Sequence, residues 1–188
     1  ADGLTGQMME PIEWHEIPHR ELPPKDWATT GKHGRSHPNF VTSLSIDPND
    51  CNEMNQRLAR KYALITEKEI RYEAKDCEDA EVVLVAYGTP ARVVLSAIEE
   101  LRRQGVKAGL FRPITLWPFP EKQLHDLAGE DHVKVVVDVE MSLGQMIDDV
   151  RLAVEGQKPV KFAGVAGGLI PTVEDIVEAA KNALKEAE

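Results

Sequence analysis

The chain has 188 residues, 42% of them hydrophobic and 29% charged, a composition ordinary for a globular protein with one good core or one domain plus an appendage. Its 22 Lys and Arg against 32 Asp and Glu give a net charge of −10. That balance excludes a nucleic-acid surface, which needs clustered basic residues to displace counterions, and an acidic electron carrier would be repelled from this chain.

The chain opens on Ala1-Asp2-Gly3 without an initiator Met, as a processed subunit, an engineered piece or a proteolytic remnant would. Residues 11 to 40 hold Pro11, Pro18, Pro23, Pro24 and Pro38 among histidines and glycines, and read as an extended, irregular arm without a core of its own. Asp47-Pro48 then offers an N-cap followed by proline at the first helical position. Met54, Leu58, Tyr62 and Ile65 recur at helical spacing, so residues 48 to 70 are expected to form an amphipathic connecting helix.

From Glu78 the pattern alternates between strand and helix. Val82 to Tyr87 is a continuous apolar run suited to a buried parallel strand. A helix opening at Gly88-Thr89-Pro90 carries Val94, Ala97, Ile98 and Leu101 on one face and ends at Gly105. Val106 to Phe111 is the second strand, followed by a short helix over Glu121 to Ala128. Val133 to Val139 is the third strand, followed by a helix with Met146, Ile147, Val150 and Val154. Val160 to Val165 is the fourth, and Thr172 caps a last helix with Val173, Ile176, Val177, Ala180 and Leu184. Four such units call for an α/β fold with a parallel, doubly wound sheet.

No apolar run approaches the length of a membrane span, and no signal-peptide pattern stands at Ala1, so no membrane partner is expected. Cys51 and Cys77, the only two cysteines, are far apart and cannot hold an iron–sulfur cluster by themselves. Two thiols without a secretory signal suggest a reducing, cytoplasmic location.

Three short patterns invite chemistry. His15-Glu16-Ile17-Pro18-His19 fits the HExxH pattern of zinc hydrolases, but that chemistry needs both histidines on one helix face and Pro18 breaks the helix. His33, Arg35 and His37 could serve an anion, although a plain loop is the simpler expectation. Gly164 to Gly168 follows a strand but lacks the lysine of a phosphate-binding loop and stands too far from Thr172 to cradle a phosphate. Glu140, at the end of the third strand, is expected to hold the turn that follows or to pair with Arg112.

The segment Arg112 to Pro120 sets Pro113, Pro118 and Pro120 around Trp117 and Phe119, a stiff loop whose aromatics are costly to expose. It resembles the RPITLWPFP segment of the alpha subunit of 2-oxoacid:ferredoxin oxidoreductases, thiamine-dependent enzymes that decarboxylate 2-oxoacids. Two further segments agree in order and spacing. Asp2 to Pro11 is similar to the run that ends the family's pyrimidine-binding domain, and Val139 to Met146 to its VEMNxGQM turn. Thr5 replaces a usual apolar residue. Ser142 stands where asparagine is common in the 2-oxoglutarate branch, which points toward the branched-chain (2-oxoisovalerate) branch.

The resemblance implies the end of a pyrimidine-binding domain and an irregular arm over residues 1–46, a linker helix over 47–75, and a domain like the transketolase C-terminal domain over 76–188. It implies a subunit or fragment of an enzyme that converts a 2-oxoacid to an acyl-CoA while reducing ferredoxin. The activating glutamate of that chemistry, its GDG…N metal motif and its cluster cysteines are not found in this sequence. No catalytic, cofactor-binding or metal residue is therefore assigned, and the chain alone is expected to be catalytically silent. Thiamine diphosphate, magnesium and iron–sulfur clusters are expected in the complete complex, with a thiamine-diphosphate-binding beta chain and iron–sulfur and gamma chains as partners and ferredoxin reached indirectly. Gln7, Met8, Glu10, Arg112, Trp117, Phe119, Glu140 and Gln145 are the expected subunit-interface residues. A stand-alone interaction module of the same fold, without catalysis, is the alternative, and the zinc hydrolase a remote one.

Overall fold

The computed structural model describes residues 13–19 and 21–187. Gln7, Met8 and Glu10 lie outside the described residues. The chain forms two compact units, one over residues 9–62 and one built on residues 63–188.

In the first unit, residues 13–19 form no helix and are exposed, so His15 and His19 do not share a helix face and the HExxH pattern lacks its required frame. The following loop is tied by its own backbone. Arg35 donates to the carbonyls of Gly31 at 2.7 Å and Asp26 at 3.3 Å, and Asn39 donates to that of Ala28 at 3.0 Å. Arg35 is thus spent on loop carbonyls. Helix α1 (Pro48–Lys68) begins at the expected cap, where the Asp47 carboxylate accepts the Asn49 and Asp50 amides at 2.8 and 3.2 Å. Helix α1 has no buried residue.

The second unit is a five-stranded sheet in the order β1-β3-β2-β4-β5. Its strands are β1 (Tyr72–Lys75), β2 (Val82–Val85), β3 (Ala108–Pro113), β4 (Val135–Glu140) and β5 (Val160–Gly164). Its helices are α2 (Gly88–Arg103), α3 (Glu121–Ala128), α4 (Met146–Val154) and α5 (Val173–Ala187). The four expected strands form the parallel part, and β1 adds an antiparallel edge with Tyr72 opposite Pro113 and Lys75 opposite Leu110. Residues 72–75, read from the sequence as linker, therefore belong to the sheet. They alternate with charge and stay exposed along their whole length, so no apolar run betrays them.

Alternation along each strand divides the core. Val82, Leu84, Val135, Val137 and Val139 meet α2 and α5 on one face. Val83, Val85, Phe111 and Val136 meet α3 and α4 on the other. At the start of α5, Thr172 Oγ accepts the Asp175 amide at 3.1 Å while the Asp175 carboxylate accepts the Thr172 amide at 3.0 Å, a reciprocal cap.

The β1–β2 turn packs against β3 at a glycine. A Cβ on Gly109 would lie 2.5 Å from the Asp76 carbonyl oxygen and 2.9 Å from the Cys77 sulfur. Arg102 fixes the same turn, donating to the carbonyls of Ala108 and Asp76 at 2.8 and 2.7 Å and to the Asp79 carboxylate at 2.8 Å. Backbone cannot retreat from that clamp. Gly109→Ala is expected to lower folding stability by about 1–3 kcal/mol, read by urea unfolding.

Candidate functional site

The chain reverses its winding between β2 and β4: β2 leads through α2 to β3 on one side, and β4 leads through α4 to β5 on the other. Open α/β sheets receive ligands or partners at the carboxyl edge of such a switch point. Besides the short Ala86–Tyr87 link after β2, three longer connections stand on that edge: Ile114–Pro120 after β3, Met141–Gln145 after β4, and Val165–Thr172 after β5.

The turn after β4 is organised by Glu140, only 2% exposed. Its Oε1 accepts the amides of Gln145 and Ile147, each at 3.0 Å, and its Oε2 accepts the Ser142 hydroxyl at 2.9 Å. Ser142 Oγ accepts the Gly144 amide at 3.0 Å. The carboxylate therefore caps α4 from the preceding strand and faces the positive end of that helix. Burial alone would raise the Glu140 pKa, but the Asp138 carboxyl, the helix amides and Ser142 together hold it below its ordinary value. Gly164 closes the turn from β5: a Cβ there would meet the Ser142 carbonyl at 2.6 Å.

The expected Arg112–Glu140 pair does not form. Strand β2 separates β3 from β4, which puts the two strand ends about 10 Å apart across the sheet. Arg112 instead pairs with Glu73 of the edge strand at 3.1 Å. Glu140's other expected role, holding the turn, is what the geometry shows.

The aromatic loop also splits in two. Phe119 turns inward, 6% exposed, and packs in the α3/α4 core with Phe111 and Leu124, so it is core and not interface. Trp117 stays 60% exposed, flanked by exposed Ile114 and Leu116. Loop ends are tied down by Thr115, whose hydroxyl accepts the Arg71 amide at 3.0 Å. On the neighbouring connections Leu143 is 86% exposed, Gln145 is exposed, and Leu169 is open as well. Five large apolar side chains, Ile114, Leu116, Trp117, Leu143 and Leu169, thus stand on three connections along one edge of the sheet. Sequence reasoning missed four of them. The signal lay in apolar residues inside turns, where solvent should favour polar ones.

Among the described residues, neither cysteine is placed as a cluster ligand. Burial, helped by Glu78, pushes the Cys77 thiol up to about 12, far from the thiolate a cluster requires. Cys51 lies in the other unit's helix. Among the described residues no three His, Cys, Asp or Glu side chains converge as metal ligands. A concavity of about 640 Å³ between α2 and α5 is lined mainly by Glu99, Glu100, Arg103, Glu174, Glu178 and Lys181. It lies along the helices, away from the carboxyl edge, and its charged lining residues are exposed or only partly buried. We place the site at the edge. No helix among the described residues is long and apolar enough to cross a membrane.

Comparison with known proteins agrees with this architecture. Residues 80–176 match the family model described as pyruvate:ferredoxin oxidoreductase core domain II. The ketoisovalerate oxidoreductase subunit VorB of Methanothermobacter marburgensis is 41% identical over 177 residues, covering 94% of this chain and 49% of that protein. The chain thus spans about half the length of the curated relatives it matches. Among solved structures, a 2-oxoglutarate:ferredoxin oxidoreductase from Magnetococcus marinus with 2-oxoglutarate, coenzyme A and succinyl-CoA bound superposes with a TM-score of 0.60 at 20% identity, over 82% of this chain and 26% of that one. A split-gene transketolase, an inactive beta4 tetramer, superposes with a TM-score of 0.53 at 23% identity, over 63% of this chain and 42% of that one. Both likenesses are of fold.

Proposed function

Because the chain belongs to the pyruvate:ferredoxin oxidoreductase core domain II family, we propose that it is part of the alpha subunit of a thiamine-diphosphate-dependent 2-oxoacid:ferredoxin oxidoreductase. In this reading it supplies assembly surface, and thiamine diphosphate, magnesium and iron–sulfur clusters are held by other chains or segments of a cytoplasmic complex. The observation that carries the reading is the exposed apolar edge formed by Ile114, Leu116, Trp117, Leu143 and Leu169. Water is a poor neighbour for five such side chains on one edge, and a sister subunit is the natural cover. Arg112 and Gln145 would stand at its rim, where charged and polar groups steer docking more than they strengthen it. Residues 1–46 would continue from a pyrimidine-binding domain, α1 would link, and the sheet with its helices would form the transketolase-like domain.

The identity shared with a ketoisovalerate oxidoreductase subunit supports 2-oxoisovalerate as substrate. Ser142, read from the sequence as a mark of the branched-chain branch, is here the residue that bridges Glu140 and Gly144. The test is reconstitution with a thiamine-binding beta chain and the iron–sulfur and gamma chains. The expected result is 2-oxoisovalerate- and coenzyme-A-dependent ferredoxin reduction by the assembly and none by this chain alone. An assembly that forms but has no 2-oxoacid activity would leave only the interaction-module reading.

A further inference from the structure

Asp138 lies inside β4, wholly buried, and neither of its carboxyl oxygens meets an N–H or O–H donor among the described residues; the polar group within its reach is the Glu140 carboxylate. Buried polar groups are normally paired, and a bare carboxylate in such a place gives way to the neutral acid. Glu140 follows two residues later, on the same face of the strand, with both oxygens already engaged by N–H and O–H donors. The surroundings offer little compensating charge. From β2 comes Val85, opposite Asp138, with Tyr87 beyond it; from β5 comes Phe162. Helix α4 brings Arg151 and Asp149, and Arg151 is drawn to Asp148 at 3.5 Å. Helix α3 presents apolar Leu124 and Ala128 to this face.

We propose that Asp138 is a positioning residue that keeps its proton and turns it toward Glu140, so that this one proton latches the Met141–Gln145 turn. Two carboxyl groups can share the face because only one is charged, and the charged one is left to hold the α4 amides. Loss of the proton places two buried carboxylates side by side and loosens the turn. Burial first, then the Glu140 carboxylate, push Asp138 up to about 9, while Arg151 pulls weakly the other way. Burial first, then the Glu140 and Asp138 carboxylates, raise Tyr87 as well.

Asp138 has an ordinary value of 3.8 and a raised one of about 9 when folded, so its contribution is complete below 3.8 and is lost progressively as pH rises toward 9. Urea unfolding of the chain from about pH 5 to about pH 10 reads this directly. Relative to Asp138→Asn, which cannot ionise and still offers a donor, the wild-type folded-to-unfolded ratio should fall by up to about tenfold per pH unit. Parallel pH profiles for the two proteins would overturn the latch. If the variant does not fold, infrared titration of the wild type decides. A protonated-carboxyl carbonyl band should persist at neutral pH and vanish above about pH 9, and its absence at neutral pH would refute the proposal. The latch holds whichever partner covers the turn, so its failure would leave the assembly reading untouched.

Discussion

Glu140→Ala should lower folding stability by about 3 kcal/mol, with Glu140→Gln losing about half as much. Alanine removes the acceptor of two backbone amides and one hydroxyl, and the Ile147 amide belongs to a residue only 5% exposed, where water is a poor substitute. It also removes the negative charge at the head of α4. Glutamine keeps one acceptor oxygen and the shape of the turn, but loses the charge. The two variants should also differ from wild type in acid. Glu140 is held below its ordinary value of 4.5, so its stabilisation is present above that pH and is lost as pH falls through the depressed value. Acid unfolding followed by circular dichroism should show this drop in the wild type and a flatter profile in Glu140→Gln. Equal acid sensitivity would mean that the carboxylate does not hold the turn.

Trp117→Ala should weaken association with the partner chain by about 30-fold or more while leaving the fold nearly unchanged. The side chain is 60% exposed, so little core packing is lost when it is truncated. A buried tryptophan at the centre of an interface, by contrast, commonly dominates the affinity. Its position is prearranged: Pro118 follows it, and Thr115 anchors the loop to the backbone of Arg71. Binding measured by isothermal titration, alongside urea unfolding of the same variant, separates the two effects.

The parallel core was legible because valine runs such as Val82 to Val85 and Val135 to Val137 are buried on both faces and leave a continuous apolar signature. The edge strand was not, since Tyr72 to Lys75 is short, charged and held by backbone pairing to β3. Strand order was also hidden. The crossover that places β2 between β3 and β4 is a property of the whole fold, and the mistaken Arg112–Glu140 pair followed from treating chain neighbours as sheet neighbours. Phe119 misled for a related reason. Alternating prolines told of stiffness but not of direction, and the chain entering α3 turns Phe119 into the core while Trp117 points out. Asp138 had a visible signal in retrospect, a lone acid in the run Val135-Val136-Val137-Asp138-Val139. Its meaning needed the burial and the company of Glu140. The family motifs, in contrast, were read correctly from sequence because they are local.

A docking surface and a part of the reacting centre are different roles for the edge loops, and one titration separates them. Ferredoxin reduction is measured while the partner chains are titrated against wild-type and Trp117→Ala protein, giving both a half-saturation point and a turnover at saturation. A docking role predicts a half-saturation point shifted by about 30-fold or more with turnover at saturation retained. An unchanged half-saturation point with turnover lost would contradict it, and would return the Arg112–Pro120 loop to the chemistry.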